Sequence, residues 1–365
     1  MRRLTLTFVS VAAAAFSSGA LAQSTLTLFG VVDTAVQHIK GGDAQVTRLS
    51  SGALNGSRLG FKGVEDLGGG LSASFHLEAG LNTDSGSGRR TSTDNVTNTA
   101  GQAITFNRRS TVGLKGGFGE VRLGRDYTPV ADNHTDYDVF GNSGIGDSSL
   151  LTQALAIGLV AGNGVKTDVR ASNSIGYFLP GNLGGVYGYA MHAISETTNG
   201  APEGFRKGDG AHTGARIGYE SGGLNVAVAY GKTKLASQEG LDNVHLGAWY
   251  KMSPIQIFGQ ISRERTRIGG QRHVNDAGSI GAIYVQGVNQ FKAEITRSVI
   301  QGPSGGDAAA TMLALGYQYD LSKRTALHGA VAFIRNNDRG IFDLAVPVRA
   351  GQNASGVQVG VRHRF

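Results

Sequence analysis

Two sets of charged residues in this sequence could act together. Basic side chains recur in stretches that alternate polar and apolar residues, whereas aspartates gather in one long segment, residues 129–168. If the two sets faced each other across a narrow aqueous gap, they would create a transverse field that sorts solutes by charge and dipole. The basic candidates are Arg58, Lys62, Arg109, Arg122 and Arg125, and the acidic candidates are Asp132, Asp136, Asp138 and Asp147.

The alternation of polar and apolar residues indicates which basic side chains can lie on the same face of a sheet. Successive residues of a strand point to opposite sides, so Arg58 and Arg122 lie opposite their apolar neighbours. Arg108 and Arg109 are adjacent, so only one can face the polar side without a bulge, and the apolar positions that follow favour Arg109. Arg125 falls on the apolar parity, but "GRDYTP" places it near the end of its strand.

Other chemistries find little support in the sequence. "GGGLSAS" lacks the Lys-Ser/Thr of a phosphate-binding loop, and the nine histidines form no HExxH motif. With no cysteine there are neither disulfides nor thiolate metal sites. The net charge of +7 includes no basic patch interleaved with aromatic residues, so nucleic-acid binding is not expected. We therefore expect no cofactor, no metal and no catalytic residue.

The N-terminus has the pattern of a secretory signal. Arg2 and Arg3 precede an apolar run from Leu4 to Phe16, and "ALA" at 20–22 is a small-x-small cleavage site. We expect residues 1–22 to be removed and residues 23–365 to form a single domain. Removal of the two arginines leaves 32 basic and 27 acidic residues, a net charge of +5.

The remaining chain is rich in glycine and in strand signals. It has 57 glycines, only 6 prolines and 40% hydrophobic residues, with no apolar run of about 18 residues after the signal. Stretches such as "LSASFHLEAG" alternate with a period of two, which indicates strands with one apolar and one wet face.

The breaks between strands are of two kinds that alternate along the chain. Seven short Gly- or Pro-marked turns separate eight longer polar segments, near 38–53, 83–103, 129–168, 196–210, 235–241, 268–274, 301–307 and 338–353. This layout predicts sixteen antiparallel strands closed into a transmembrane β-barrel, with both termini on the short-turn side. The last strand, "GVQVGVRHRF", would pair with the first near 25–37 and leave Phe365 at the membrane interface. The alternative is a soluble secreted all-β protein, such as a sandwich or a propeller.

Several long blocks resemble the Gram-negative general porins, in particular the β-proteobacterial type. They are "TLTLFGVVDTAV", "GSRLGFKGVEDLGGGLSASFHLEAGLN", "RRSTVGLKGGFGEVRLGRDYTP", "LALGYQYDLSKRTALHGAVAFIRN" and "GVRHRF", and the resemblance covers nearly the whole mature chain. It implies a homotrimer of 16-stranded barrels in the outer membrane that passes small hydrophilic solutes and ions by diffusion. It also implies that the third long loop folds inward as a constriction, although "SSLLTQALAIGLVAG" in that loop is unusually apolar.

The resemblance also sets the expected partners. Outer-membrane lipids and lipopolysaccharide would surround the barrel, and the barrel assembly machinery would read Phe365 as an insertion signal. The net positive charge of the mature chain and the predicted arginines favour a pore with a slight preference for anions. Three alternatives remain open: a pore that binds a particular sugar, organic acid or phosphate, a barrel enzyme, and an adhesin.

Overall fold

The computed structural model describes residues 24–92, 94–96, 103–160, 165–198, 206–235, 240–302 and 306–365. The predicted signal peptide, residues 1–22, lies outside these ranges. None of the helices in the described ranges is long and apolar enough to cross a bilayer. The helices are α1 (Pro129–Tyr137), a 3-10 turn (Gly144–Gly146) and α2 (Ser149–Thr152). The strands are β1 (Thr25–Gly41), β2 (Ala44–Ser51), β3 (Arg58–Gly68), β4 (Leu71–Asn82), β5 (Ser87–Gly88), β6 (Arg109–Gly116), β7 (Gly119–Tyr127), β8 (Arg170–Phe178), β9 (Val186–Ala193), β10 (His212–Ser221), β11 (Leu224–Thr233), β12 (Leu241–Met252), β13 (Ile255–Ile268), β14 (Gln271–Gln286), β15 (Asn289–Gln301), β16 (Ala308–Asp320), β17 (Thr325–Asn336) and β18 (Ala354–Arg364).

The strands form one closed antiparallel barrel with sixteen crossings of the wall. β2 and β3 share one crossing, because β2 pairs with the second half of β1 and β3 pairs with its first half. β5 is a two-residue pairing at the end of β4 and adds no crossing. β18 pairs with β1 from Val31↔Arg364 to Gly41↔Ala354, so no edge is left open. The predicted sixteen-stranded barrel and the pairing of its last strand with its first are confirmed.

Phe365 completes this closure on the short-turn side, the end of the barrel that holds the seven short turns. Its backbone exchanges two hydrogen bonds with Gly30, of 3.0 and 3.1 Å. A Cβ at Gly30 would lie 2.2 Å from the Phe365 ring, so only glycine lets the terminal ring lie against β1. The ring itself is 45% exposed on the outer surface.

The connections at the opposite end, the loop side, differ from the prediction in two places. The segments near 38–53 and 268–274 are not long loops but two-residue turns, Gly42–Asp43 and Gly269–Gly270. Their polar residues belong to long strands, of 17 residues in β1 and 16 in β14. About 9–11 residues suffice to cross a bilayer, so the ends of such strands extend into water, where polar side chains on both faces are tolerated.

The two faces of the wall have opposite character. Outward positions carry exposed apolar side chains, for example Ile261, Ile280 and Leu315, whereas inward positions carry buried polar side chains such as Gln260 and Thr296. Aromatic hydroxyls near the short turns bond to the protein, as when Tyr177 donates to the carbonyl of Phe118 at 2.6 Å. This is the arrangement expected of strands with lipid on one side and water on the other.

A charge placed on the outward face should therefore cost far more than one placed inside. We expect Leu315→Arg to lower the free energy of unfolding in lipid vesicles by ~2–4 kcal/mol, whereas the inward Ser72→Arg should change it by less than about 1 kcal/mol. Urea titration of both variants measures the difference. Equal losses in the two variants would contradict the assignment of the faces.

Candidate functional site

The connection between β7 and β8, residues 128–169, is the third loop, and its described residues, 128–160 and 165–169, fold into the barrel. Its first part is α1, which begins at a Thr128 cap followed by Pro129 and packs against β10, β11 and β12. The side-chain amide of Asn133 donates to His245 Nδ1 at 2.7 Å. The ring of Tyr137 lies so close to Gly247 that a Cβ there would be 2.0 Å from it. The absence of a side chain at position 247 thus makes room for the helix.

The second part of the loop is held by a buried carboxylate and by apolar packing. Glu264 on β13 accepts hydrogen bonds from the backbone amides of Leu155 and Ala156 at 2.9 and 3.1 Å. Leu151 and Leu155 are buried in one cluster with Ile300 and Met312 of the wall. Leu151, Ala154, Leu155 and Ala156 of the apolar run therefore form a small core inside the barrel. The predicted inward fold of the loop is confirmed.

Opposite this loop lies a group of five guanidinium groups that we call the arginine wall. Two members stand on β2 and β3, one follows β5, one precedes β6 and one begins β8, so the strands of one side of the barrel place them together. Its members are Arg48, Arg58, Arg89, Arg108 and Arg170.

Within the arginine wall, one carboxylate and one phenol organise the guanidinium groups. Glu78 accepts from Arg58 at 3.4 Å and also from Arg108. The Tyr127 hydroxyl accepts from Arg108 at 2.7 Å and from Arg170, whose guanidinium lies 4.1 Å from the centre of the Tyr127 ring. Arg89 donates to carbonyls, including that of Ser51 at 3.1 Å. Burial, with repulsion from Arg108, lowers the pKa of Arg89.

The third loop and the arginine wall enclose a space of about 620 Å³, the aperture. On the loop side its charged groups are Asp132 and Asp147. Burial, with a smaller contribution from Asp136, raises the pKa of Asp132 to about 6, while a hydrogen bond from the Tyr189 hydroxyl opposes the shift. Burial and repulsion from Asp138 raise the pKa of Asp147. The aperture thus holds five guanidinium groups against two carboxylates whose pKa values are raised.

The other predicted basic residues lie elsewhere. Lys62, Arg109 and Arg122 line a separate space nearer the short turns. There Asp126 accepts from Arg109 and from Arg122, both at 2.6 Å, and Glu120 also pairs with Arg122 at 2.9 Å. The positive charge of the two arginines is therefore largely neutralised.

Arg125 is fixed by the loop that follows β5. It donates to the carbonyls of Asn107 and Ser92 and to the Ser172 hydroxyl, at 2.6, 3.2 and 2.8 Å. The register of β7 shifts between Gly124 and Asp126, so Arg125 sits at a bulge and lines a third space outside the aperture.

The remaining predicted aspartates serve other contacts. Asp136 is paired with Arg216 on β10 at 2.6 Å and does not line the aperture. Asp138 accepts from the backbone amides of Asn142 and Ser148 at 2.6 and 3.3 Å, so it shapes the turn that follows α1. Only two of the four aspartates reach the aperture.

Sequence reasoning missed four members of the arginine wall. The sequence prediction places Arg48 in the polar segment near 38–53, which is mostly strand in the structure, and Arg89 in the polar segment near 83–103. Strand parity predicts that Arg109 alone faces inward, but Arg108 precedes the first residue of β6, so both side chains face inward. Arg170 is the first residue of β8, so the assumption of a barrel is enough to place it at an inward-facing position at the end of that strand.

The family is decided by comparison with known proteins. The model of the Gram-negative porin family matches residues 9–339. The chain belongs to this family. It is 36% identical to outer membrane porin protein 32 of Delftia acidovorans, over 98% of this chain and 99% of that protein. It is 27% identical to an outer membrane porin protein of Bordetella pertussis, over 96% and 97% of the two chains.

Solved structures agree with the porin fold. The anion-selective porin from Comamonas acidovorans superposes with a TM-score of 0.78 at 32% identity, covering 94% of this chain and all of that one. OmpT of Vibrio cholerae, at 14% identity and a TM-score of 0.66, shares the fold. The protein is therefore an outer-membrane β-barrel of a family whose members are channels rather than enzymes.

The raised pKa values of the loop carboxylates predict how selectivity changes with pH. A carboxyl with a raised pKa is charged above that value and neutral below it, so Asp132 loses its charge as pH falls through about 6. Asp147, also raised, changes in the same direction. We expect preference for anions to increase between pH 8 and pH 5, as measured by the reversal potential in a KCl gradient.

The matched control is the double variant Asp132→Asn plus Asp147→Asn, which should show the low-pH preference at both pH values. A wild-type preference that is constant from pH 8 to pH 5, or an equal change in the double variant, would contradict this assignment.

Proposed function

We propose that this porin forms a water-filled channel that passes small hydrophilic solutes by diffusion and weakly prefers anions. The observation that carries the proposal is the charge imbalance of the aperture. Five guanidinium groups share one carboxylate within the wall, and the two aspartates across the gap have raised pKa values. Such fixed positive charge attracts anions. An ion that crosses a gap of this size passes within about 8 Å of these charges, the screening length at physiological salt.

Two further points support anion preference. The structurally similar Comamonas acidovorans protein is described as anion-selective. Arginine also suits the role, since it stays charged at any physiological pH and its planar fork can hold carboxylate or phosphate. We assign Arg58, Asp132 and Asp147 to the constriction, as the sequence predicted, and add Arg48, Arg89, Arg108 and Arg170. Lys62, Arg109, Arg122 and Arg125 then act outside the constriction.

Membership of the porin family supports a proposal for export and assembly. We propose that residues 1–22 are a cleaved signal peptide and that residues 23–365 form the single barrel domain. Phe365, whose ring is exposed on the short-turn side, would be read by the barrel assembly machinery. We also propose that the mature protein is a homotrimer.

The outer surface suggests contact with anionic lipid, including lipopolysaccharide. Beyond the apolar outward positions Leu246 and Ile261 lies a space of about 400 Å³ on the loop side of the barrel. Its charged lining is Lys232, Asp242, Arg265, Arg267 and Arg272. Basic side chains just above a lipid-facing apolar surface attract phosphorylated headgroups.

Removal of positive charge from the arginine wall tests the proposed selectivity. We expect Arg48→Gln plus Arg58→Gln to lower the chloride-to-potassium permeability ratio by roughly twofold or more, because both groups face the aperture. The control is Lys115→Gln plus Lys251→Gln, which removes the same charge near the short turns and should change the ratio less. Bilayer recordings in a KCl gradient measure both. Equal shifts in the two variants would contradict a selectivity set at the aperture.

A further inference from the structure

A second basic space lies on the short-turn side of the third loop. It has a volume of about 600 Å³ and is enclosed by the start of β15, the ends of β16 and β18, two short turns and the segment 138–141 of the third loop. Its basic lining consists of Lys292, Lys323, Arg362 and Arg364, and its acidic lining consists of Asp138 and Asp320. We call it the lower space.

The two carboxylates of the lower space are already engaged. Asp320 accepts from the side-chain amides of Gln318 and Gln290 at 2.7 and 3.2 Å, and its Oδ1 lies 3.7 Å from Arg362. Asp138 accepts two backbone amides of the third loop. Asp320 therefore pairs with Arg362, whereas Asp138, which accepts only from neutral amides, attracts Lys292 from beyond ion-pair distance. Four basic groups thus face two carboxylates in the lower space.

Three of the basic groups have no such partner. Among the described residues, no carboxylate lies within ion-pair distance of Lys292, Lys323 or Arg364. Lys292 lies 5.6 Å from the centre of the Phe140 ring. Arg362 is 4% exposed, and its Nε has no hydrogen-bond partner among those residues. Buried donors without partners favour an acceptor that enters from solvent.

The lower space borders the aperture. Asn55 and Gly141 line both spaces. Asn55 Oδ1 accepts from Arg362 at 3.2 Å and from Arg364 at 2.9 Å, while its backbone amide donates to Asp33 at 2.6 Å. An anion that leaves the arginine wall past Asn55 therefore meets a second group of basic side chains before it reaches the short-turn mouth.

We propose that the lower space is a second binding station for small anions carrying two or three negative charges on carboxylate or phosphate oxygens. The inference rests on the proposed passage of anions through the aperture. A monovalent ion gains little from four spaced basic groups, whereas a polyanion can contact several at once. Arg362 and Asn55 are held by contacts with each other at one side of the station. Lys292, Lys323 and Arg364 supply N–H donors that can contact the anion.

Citrate added from one side of a planar bilayer tests the station. The chain has no cysteine, so Ala350→Cys, in the exposed loop between β17 and β18, reports orientation through its reaction with a membrane-impermeant thiol reagent. We expect citrate to reduce single-channel current at lower concentration from the short-turn side than from the loop side. In the same background, Lys292→Gln plus Arg364→Gln should weaken that block about tenfold, because two charge-assisted contacts are lost.

The charge-matched control is again Lys115→Gln plus Lys251→Gln, which should change the citrate block less than about twofold. An unchanged block in Lys292→Gln plus Arg364→Gln, or an equal loss in the control, would overturn the station. Inorganic phosphate should also block the channel, and its block should be weakened more by Lys292→Gln plus Arg364→Gln than by the control. Block by citrate but not by phosphate would contradict a station that recognises carboxylate and phosphate oxygens alike. If the wild-type channel prefers potassium over chloride but citrate block keeps this dependence on Lys292 and Arg364, the proposed selectivity fails and the station stands.

Discussion

The hydrogen-bonding needs of the backbone in a bilayer constrain everything else in this protein. No water is available in hydrocarbon, so every strand must have a neighbour on both sides, and the sheet can only close on itself. The pairing of β1 with β18 meets that need, and Gly30 leaves room for the terminal ring. A closed wall of sixteen crossings is wide enough to hold water, and this width creates the second problem of the fold, which is how to narrow the opening.

The third loop narrows the opening by folding into the barrel, where its apolar side chains pack against the inner face of the wall. In a soluble protein the apolar side chains of Leu151 and Leu155 would pack beneath a surface, whereas here they pack against wall residues inside the barrel. Glu264 fixes the backbone of the same segment, and Gly247 admits Tyr137 of α1. Because the loop covers one side of the lumen, the arginines of the other side face a narrow gap, and their charge acts at close range.

Much of the fold could be predicted from the sequence, whereas fewer of the residues that line the aperture could be. Alternation with a period of two sets the faces of each strand, and the alternation of short and long breaks sets the strand count and the direction of closure. Strand parity correctly predicts that Arg58 and Arg122 face inward, but it does not give their height along the barrel axis. Only Arg58 reaches the aperture, while Arg122 lines the space nearer the short turns. Height depends on register and tilt, which neighbouring strands decide together. Parity also failed at Arg108 and Arg125, where a strand end and a bulge break the two-residue period.

The measurement that tests the central claim most directly is single-channel recording of the purified mature protein in a planar bilayer under a KCl gradient. Our account predicts stable open steps and a reversal potential whose sign corresponds to a modest preference for chloride. A silent bilayer from correctly folded protein would mean that the third loop closes the barrel. A reversal potential of the opposite sign would mean that the loop carboxylates, and not the arginine wall, set the field in the aperture.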